Sequence, residues 1–281
     1  MKDKTYDTIA YFYHNILFDV LVMMSVIEFD PPSTFNTLAP DGKIGVIQVS
    51  PDWASMAEFR LIFPHSYGLF STRLALENPL TPESLGKSIQ GLPTAAKNIL
   101  PYSKLDALVY NCTSAATVIG VDKVHGILQQ ARPEVRVVTD PLTAAIAALN
   151  AVKAKKVTVV TPYPKSVNKV MLGKFTEASV NVVKIGGFGL GMDEEIAATP
   201  VDYIEKCVLS CFDADKSDAL FISCTGLFVV GIIEKLEKLI GCPVITSNQA
   251  VAWHIMQSLN KTDESRPQVN GYGQLFKHKL L

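Results

Sequence analysis

Two segments of this chain closely resemble each other: residues 104–114 read KLDALVYNCTS, and residues 216–226 read KSDALFISCTG. The two segments align without a gap at an offset of 112 residues. Each contains a short apolar run that ends at a cysteine, Cys112 in the first copy and Cys224 in the second. Self-similarity at a fixed spacing indicates a duplicated structural unit. The chain is therefore predicted to contain two related halves with one cysteine in each.

The sequence around these segments repeats as well and supplies further strands. Residues 43–47 resemble residues 156–160, and residues 137–140 resemble residues 244–247. Short apolar runs rich in β-branched residues are typical of parallel strands that are buried on both faces. Six such runs are predicted as strands: 44–49, 107–110, 135–139, 157–161, 219–222 and 244–246.

Segments of helical length separate the strands, among them 121–131 and 229–240, and Gly241 follows the second. A glycine just beyond the last turn is a common helix terminator. The alternation of strands and helices predicts an α/β fold. We expect two duplicated, doubly wound (flavodoxin-like) parallel-sheet lobes, related by a pseudo-twofold axis, with the active site between them.

The repeat also sets the predicted domain boundaries. Residues 1–42 form an N-terminal extension that is predicted to be helical, residues 43–150 the first lobe and residues 151–247 the second. The segment 248–281 is predicted to pack back on the first lobe. Polar residues interrupt the apolar stretch 8–29 before it reaches the roughly 20 apolar residues that a membrane span needs. We expect this helix to pack on the body of the protein or on a second subunit of a homo-oligomer.

The composition favours a function that resides in a local site. The net charge is -1, with 26 basic and 27 acidic residues and no long run of one sign. This balance argues against nucleic acid or an anionic membrane as a partner. The five cysteines are an odd number in a chain too large to need a disulfide framework. We therefore expect free thiols and a reducing, cytoplasmic location.

Three further patterns lack the spacing of a binding motif. Cys207 and Cys211 are one helical turn apart without a further ligand nearby in sequence, so we expect core packing rather than metal binding. The glycine-rich run 186–191 lacks the spacing of a dinucleotide fingerprint and is predicted to be a flexible active-site loop. The histidines have no ligand-like spacing and are predicted to be structural or exposed.

The positions of Cys112 and Cys224 predict a shared cleft. Each cysteine follows a strand immediately, and ligands of open parallel sheets bind beyond the carboxyl ends of the strands. If the two lobes face each other about a twofold axis, the thiols converge on one cleft from opposite sides. A cysteine that ends a core strand is otherwise often buried and inert. Its occurrence at the same position of both copies favours a functional role.

Motifs along most of the chain match a known family. The matching segments are 111–114 and 222–227 around the two cysteines, 161–164 with Tyr163 and Asn168 behind it, 246–250 with Trp253, and 271–276. In order and spacing these segments resemble the aspartate/glutamate racemase superfamily, and within it the branch of the maleate cis-trans isomerases and arylmalonate decarboxylases. The resemblance runs from about Lys43 to Phe276.

The resemblance implies a cofactor-independent enzyme, without a metal, that acts on a small carboxylic acid. Decarboxylases of this branch have glycine where this chain has Cys112. One thiol is enough to protonate a planar enediolate after carbon dioxide has left. Racemisation needs an acid and a base on opposite faces, and isomerisation of a double bond needs a nucleophile and a proton donor.

The presence of both cysteines therefore favours an isomerase or racemase. In this interpretation Cys112 is the nucleophile or base and Cys224 is the general acid or base. Two alternatives stay open: an arylmalonate-type decarboxylase that uses Cys224 as proton donor, and a non-catalytic protein that binds a small acid.

Residues beside the cysteines are candidates for substrate binding. A thiol with an ordinary pKa of about 8.5 is only slightly ionised at neutral pH, so we expect N–H groups of the helices that follow to lower it. The amides and hydroxyls of Thr113, Ser114, Thr225 and Gly226 are predicted to hold a substrate carboxylate or an enediolate. The hydroxyls would equally serve as helix caps. The resemblance implies that Tyr163 hydrogen-bonds the same substrate group.

Two positions depart from the isomerase pattern. The isomerases carry asparagine where this chain has Asp52 and Asp193. Asparagine donates a hydrogen bond to a carboxylate, whereas an ionised aspartate has no proton to donate and repels it. Our hypothesis is that both aspartates lie at the substrate-binding site and that one end of the substrate is neutral or amino-bearing. The alternative is that both are solvated loop residues.

Overall fold

The computed structural model describes residues 28–259 and 269–280, together with Tyr13. The chain divides into two compact units, Met1–Thr37 and Leu38–Leu281. Within the described ranges, no helix is long and apolar enough to cross a membrane.

In the first unit, Tyr13 is helical, and residues 28–37 form neither a helix nor a strand. The rest of the helix predicted for the N-terminal extension lies outside the described residues.

The second unit begins with a four-stranded parallel sheet. Its strands are β1 (Gly42–Val49), β2 (Tyr67–Leu74), β3 (Ala107–Asn111) and β4 (Val137–Thr139). They lie in the order β2-β1-β3-β4, and Ile44 of β1 is paired with Leu69 of β2 and Ala107 of β3. The chain therefore runs from β1 outward to the edge strand β2 and then crosses to the other side of β1.

A second parallel sheet repeats this topology. Its strands are β5 (Lys156–Thr161), β6 (Asn181–Gly187), β7 (Ala219–Ile222) and β8 (Val244–Thr246). They lie in the order β6-β5-β7-β8, which is the order of the first sheet. The predicted α/β fold with two duplicated, doubly wound parallel sheets is confirmed. The predicted domain boundaries stay a prediction.

Helices connect the strands of both sheets. Those between β1 and β5 are α1 (Ser55–Ile62), α2 (Pro82–Lys87), α3 (Leu92–Asn98), α4 (Thr113–Ile119), α5 (Val121–Ala131) and α6 (Pro141–Ala151). Those after β5 are α7 (Lys165–Glu177), α8 (Asp193–Ala197), α9 (Val201–Cys211), α10 (Ile233–Ile240) and α11 (Ser247–Leu259). Short 3₁₀ turns span Ser88–Gly91, Val230–Ile232 and Gln274–Lys277.

Local sequence explains where several helices begin and end. The side chain of Asp140 accepts hydrogen bonds from the first free N–H groups of α6 and caps that helix. Gly241 ends α10 with a φ of 74°, a left-handed conformation that favours glycine. The helix predicted over 121–131 matches α5. The helix predicted over 229–240 divides into a 3₁₀ turn and α10.

Two strands were missing from the predicted set, and both are edge strands. Strands β2 and β6 each pair with only one neighbour, and their burial is partial along most of their length. Polar residues such as Arg73 in β2 and Lys184 in β6 are tolerated there because one side of the strand is open. Neither strand therefore shows the continuous apolar run that identifies a central parallel strand.

The prediction that residues 186–191 form a flexible loop was wrong for the first two positions. Gly186 and Gly187 are the last residues of β6. A Cβ added to Gly187 would lie 2.4 Å from Nδ2 of Asn168 and 2.9 Å from the carbonyl oxygen of Tyr163. Glycine is needed at position 187 because the backbone of Tyr163, in the loop after β5, lies against it.

Helix α11 is the most completely buried helix on the first sheet's side of the molecule. It packs against α1 and α6. Trp253 is fully buried within it and donates a hydrogen bond from its indole N–H to the carbonyl oxygen of His278 at 3.0 Å. This packing fixes the start of α11, where two side chains of the candidate site originate.

A buried carboxyl group connects α1 to the segment that leads into α10. The side chain of Glu58 is 1% exposed. Its Oε1 accepts hydrogen bonds from the N–H groups of Val229 at 2.6 Å and Val230 at 2.7 Å, and its Oε2 accepts one from Nδ2 of Asn248 at 2.7 Å. Burial raises the pKa of Glu58 to about 7, although the three donors favour the charged form.

The pH dependence of stability tests this connection. The pKa of Glu58 rises from 4.5 to about 7 on folding, so its stabilising contribution is complete below pH 4.5 and is lost as the pH rises through 7. Glu58→Gln has no such titration. We expect the free energy of unfolding of the wild type, relative to that of the variant, to fall over this window in urea denaturation.

The matched control is Glu177→Gln, which removes a carboxylate that is 66% exposed and paired with Lys174. Its difference from the wild type should be small at every pH, because exposed ion pairs contribute little. A difference between wild type and Glu58→Gln that stays constant or grows with pH would contradict the description of Glu58.

Candidate active site

The strand order places the loops of the candidate site. In a sheet of order 2-1-3-4, the connections that follow β1 and β3 leave in opposite directions, so a crevice opens at their carboxyl ends. The loop after β1 carries Asp52, and Cys112 follows β3 directly. In the second sheet, Tyr163 follows β5 and Cys224 lies two residues beyond β7. Four equivalent strand ends thus supply the central residues.

One cavity brings all nine predicted site residues together. The cavity is nearly closed, because only about 10 Å³ of it admits the centre of a water-sized sphere. The nine residues on its wall are Asp52, Cys112, Thr113, Ser114, Tyr163, Asp193, Cys224, Thr225 and Gly226. Val49, Pro51 and Leu80 complete the lining. The chemical roles assigned to these residues from sequence stay predictions.

The Cys112 thiol lies at the junction of β3 and α4. Cys112 keeps an extended backbone, and the helix begins at the next residue. The side chain is 5% exposed, and its Sγ lies 3.6 Å from Oγ of Ser114. The cysteine therefore stands at the amino end of a short helix, with the backbone amide of Ala115 and the hydroxyl of Ser114 beside its sulfur.

The Cys224 thiol is held in a less common backbone conformation. Cys224 has a φ of 146°, which is unusual for a residue with a side chain and marks local strain. Its N–H donates to Oγ of Ser247 at 3.0 Å, and the N–H of Gly226 donates to its Sγ at 3.3 Å. Surrounding hydrogen bonds thus impose a conformation in which an amide faces the sulfur.

Ser247, the first residue of α11, connects the two cysteine loops. Its hydroxyl oxygen accepts the N–H of Cys224 and also the hydroxyl of Thr113, the latter at 2.9 Å. The hydroxyl of Thr113 is therefore used within the protein. Sequence reasoning did not assign Ser247 to the site, although it lies inside the segment 246–250 whose pattern matched the isomerases.

Asn248 connects the same loops beneath the cavity. Its Nδ2 donates to the carbonyl oxygen of Thr225 at 3.0 Å and to Glu58, while its Oδ1 accepts from Nδ2 of Asn111 at 3.1 Å. The hydroxyl of Thr225 donates to the carbonyl oxygen of Asn111 at 3.3 Å. Like the hydroxyl of Thr113, this hydroxyl already donates within the protein. The loop after β7 therefore presents the backbone of Thr225 and Gly226 to the cavity.

Asp52 is a buried residue, which excludes the alternative of a solvated loop position. It is 3% exposed. Its Oδ1 accepts the N–H of Ser55 at 2.9 Å, and its Oδ2 accepts the hydroxyl of the same serine. Arg73 donates to the carbonyl oxygen of Asp52 at 2.7 Å and so fixes the loop. Burial raises the pKa of the Asp52 carboxyl above its usual range.

Asp193 reaches the cavity from the loop after β6. It begins α8, and its N–H donates to Oδ1 of Asn78 at 3.4 Å. Its Oδ2 is buried and has no hydrogen-bond partner among the described residues. Burial raises the pKa of Asp193 to about 6, and the nearby charge of Asp52 adds to the effect. Asp193 is therefore an ionised acceptor at neutral pH with one oxygen available.

Tyr163 offers a hydroxyl group to the same cavity. Its side chain is 1% exposed, and its hydroxyl makes no hydrogen bond of normal geometry within the described part of the chain. The hydroxyl is still close enough to Cys224 to favour the thiolate, which moderates the pKa of that thiol. Burial raises the pKa of Tyr163 well above its usual range, so the phenol remains a neutral donor.

The expectation that the thiol pKa values are lowered was wrong for the ligand-free cavity. Burial raises the pKa of Cys112 to about 12 and that of Cys224 higher still. The charge of Asp193 contributes to both shifts. Amide and hydroxyl donors do act on each sulfur as predicted, but desolvation outweighs them. In addition, no helix follows Cys224 closely, because α10 begins only at Ile233.

The other sequence patterns lie outside the cavity. Cys207 and Cys211 are partly exposed on α9 and line an open groove beside β6. The predicted core packing is confirmed for Cys211, which packs against the hydrophobic core, and was wrong for Cys207, which faces the groove. Within the described ranges, no cluster of three or more histidine, cysteine, aspartate or glutamate side chains has the arrangement of a metal site.

Comparisons with known proteins agree with this architecture. Residues 122–276 match the sequence model of the arylmalonate decarboxylase family. The arylmalonate decarboxylase of Bordetella bronchiseptica is 31% identical over 137 residues, which cover 48% of this chain and 55% of that enzyme. The maleate isomerase of Pseudomonas putida is 24% identical over 229 residues, which cover 76% of this chain and 86% of that enzyme.

Solved structures show the same fold. The crystal structure of a Pseudomonas putida maleate isomerase with maleate superposes with a TM-score of 0.74 at 20% identity, covering 83% of this chain and 96% of that one. A crystal structure of arylmalonate decarboxylase gives 0.68 at 20% identity, covering 84% and 100%. At this identity the likeness is one of fold.

Two parallel sheets of one strand order, with a cavity at their carboxyl ends, define a class of α/β fold that this chain shares with maleate isomerases and arylmalonate decarboxylases. Within that class, the chain belongs to the arylmalonate decarboxylase family. The relatives it matches include both a decarboxylase and an isomerase.

Thiol reactivity tests the electrostatics of the cavity. Asp193 is ionised above about pH 6, and its charge raises the pKa of both cavity thiols. Asp193→Asn removes that charge, so we expect Cys112 and Cys224 to react several-fold faster with iodoacetamide at pH 8. Peptide mass spectrometry measures each rate separately. Below about pH 5, where Asp193 carries a proton, the difference should close.

Cys207 provides an internal standard in every sample because it lies outside the cavity. Asp213→Asn is the matched variant, since it removes an aspartate that is paired with Lys216 and not part of the cavity wall. Equal rates for wild type and Asp193→Asn at pH 8 would show that Asp193 does not control the thiols.

Proposed function

We propose that the protein is a cofactor-independent isomerase or racemase that uses Cys112 and Cys224 as a pair on a small carboxylic acid. The observation that supports this most strongly is that both thiols line one small cavity although they come from different sheets. A planar substrate between two such groups is accessible from both faces, which is what reversible proton transfer or addition at a double bond needs.

As an isomerase, the protein would use Cys112 as the nucleophile. Its thiolate forms a C–S bond to one alkene carbon, and the π electrons move toward the substrate carboxyl group as an enediolate. The former double bond is then single and rotates. Expulsion of the thiolate restores the alkene in the other geometry, with Cys224 supplying a proton to the carbanion and recovering it.

As a racemase, the protein would use the thiols as an acid–base pair. One thiolate removes the proton from the carbon next to the carboxylate, and the other thiol delivers a proton to the opposite face. The roles exchange for the other enantiomer. In both schemes Tyr163 is an available hydroxyl donor for the carboxylate or enediolate, and Ser114 offers a hydroxyl that lies beside the Cys112 sulfur. The hydroxyls of Thr113 and Thr225 already donate within the protein.

Two solved structures of relatives bear on the role of cysteine, and the first supports a cysteine nucleophile. A maleate cis-trans isomerase of Nocardia farcinica, with a TM-score of 0.74 to this chain, has been solved with a covalently bound succinylcysteine intermediate. A double mutant of arylmalonate decarboxylase, in which a glycine became cysteine and a cysteine became serine, has been solved in a liganded form. Cysteine is thus the reacting group in one of these relatives.

A decarboxylase is the second candidate, and the match of residues 122–276 to the arylmalonate decarboxylase family favours it. In that case Cys224 alone protonates the enediolate that remains when carbon dioxide leaves. Cys112 would then be dispensable for the reaction. This difference between the candidates makes Cys112 the residue to test.

The test uses single substitutions in deuterium oxide. Wild type, Cys112→Ala and Cys224→Ala are incubated with maleate, aspartate, glutamate, hydantoins and aryl malonates, and deuterium incorporation, optical rotation and carbon dioxide are followed. We expect turnover without carbon dioxide release, reduced by about 10²-fold or more in each variant because each loses a proton-transferring or nucleophilic group. Cys207→Ala is the control, since that thiol is outside the cavity.

Two outcomes would count against the proposal. Release of carbon dioxide that survives in Cys112→Ala but not in Cys224→Ala indicates the decarboxylase. Binding of a small acid without turnover of any substrate in the panel, in wild type as in the variants, indicates a non-catalytic binding protein.

A further inference from the structure

The wall of the cavity carries negative charge and no positive charge. Asp52 and Asp193 are the charged side chains among the described residues that line it. The nearest guanidinium group, that of Arg73, donates to the carbonyl oxygens of Val49, Ser50 and Asp52 and is not part of the wall. A substrate with two carboxylates would bring like charge next to these aspartates, and Arg73, whose charge acts on Asp52, does not line the cavity.

The two aspartates differ in how much of their hydrogen-bonding capacity is used. Both oxygens of Asp52 accept from Ser55, so its carboxyl is held in place by the protein. Asp193 keeps a buried Oδ2 without a partner within the described residues. A buried carboxylate oxygen without a donor is costly, and a ligand that brings the donor removes that cost. Asp193 is therefore the open acceptor, and Asp52 adds a second negative charge.

The position of Asp193 is fixed from the opposite sheet. Its N–H donates to Asn78, and the N–H of Leu80 donates to the carbonyl oxygen of Gly191 at 2.7 Å. The loop after β6 is thus tied to the segment that follows β2. Asp193 consequently lines the cavity as a preorganised group rather than as a free loop side chain.

The same cavity also offers neutral donors suited to a carboxylate. Tyr163 is 1% exposed and presents a buried hydroxyl without a partner of normal geometry, and Ser114 contributes a second hydroxyl. Neutral hydroxyl donors and an anionic acceptor in one cavity match a ligand that carries opposite charges at its two ends.

We propose that the substrate is a zwitterion, with a carboxylate held by Tyr163 and Ser114 and a protonated nitrogen, such as an ammonium group, bound to Oδ2 of Asp193 with Asp52 nearby. The substrate class rests on the proposed function. Binding of such a cation also offsets the charge of Asp193, which adds to the larger effect of burial in raising the pKa of both thiols.

The test compares matched saturated acids by isothermal titration calorimetry at pH 7.5. Glycine, 3-aminopropanoate and 4-aminobutanoate are paired with malonate, succinate and glutarate, and propanoate is the ligand without a second group. We expect at least one amino acid to bind ten-fold or more tightly than its dicarboxylate partner and than propanoate. Asp193→Asn should remove or reverse that preference, whereas Asp213→Asn should retain it.

A pH series on the wild type keeps the test independent of whether Asp193→Asn folds. The titratable groups around the cavity are Asp52, Asp193, Cys112, Cys224 and Tyr163, with Glu58 below it. The thiols and the phenol stay neutral between pH 5 and 8, so a change in this window reports the carboxyls. Amino-acid binding should weaken as the pH falls from 7.5 to 5. The amino acids alone are used in this series, because they keep one charge state over the window whereas the dicarboxylates themselves titrate within it.

The proposal is overturned if no amino acid binds more tightly than its dicarboxylate partner, including the case in which none binds at all. A preference that persists unchanged in folded Asp193→Asn, or amino-acid binding that is equally tight at pH 5 and 7.5, overturns it as well. These results are distinct from a failure of the proposed function, because saturated acids report binding whether or not Cys112 and Cys224 carry out a reaction.

Discussion

The buried carboxamide of Asn248 is the interaction on which the geometry of the site depends. It donates to the loop that carries Cys224 and to Glu58, and it accepts from Asn111, which directly precedes Cys112. One side chain therefore sets the relative position of two loops that come from different sheets. Its amide uses both donors and one acceptor position, so rotating the amide would place donors against donors. This fixes one arrangement of the thiols.

The site is acidic and deeply buried. Glu58 and Asp52 are buried carboxyls, and both titrate above their usual range because burial outweighs their hydrogen bonds. The two thiols respond to the same environment and stay protonated. Desolvation strengthens every electrostatic interaction in the cavity. It also keeps both thiols in the protonated form. Burial is the largest cause of the raised thiol pKa values, and the charge of Asp193 adds a smaller contribution.

Sequence alone predicted the elements whose signals are local. The repeat around Cys112 and Cys224 identified the central strands, and the rule on strand ends led to residues that share one cavity. The edge strands β2 and β6 were missed because their half-exposed sequences lack an apolar run. Asn248 and Glu58 were missed for another reason. They are 190 residues apart, and neither the sequence repeat nor the hydrophobic pattern predicts their hydrogen bond. Long-range polar pairing leaves no periodic trace in the sequence.

The two cysteines are equivalent in topology but differ in their surroundings. Cys112 precedes a helix at once and has a serine hydroxyl beside its sulfur. Cys224 has a strained φ, a backbone amide directed at its sulfur and a tyrosine hydroxyl close by. A racemase that treats both enantiomers alike is best served by matched acids and bases. Unequal surroundings instead favour a division of labour, in which one thiol forms the bond to carbon and the other transfers the proton.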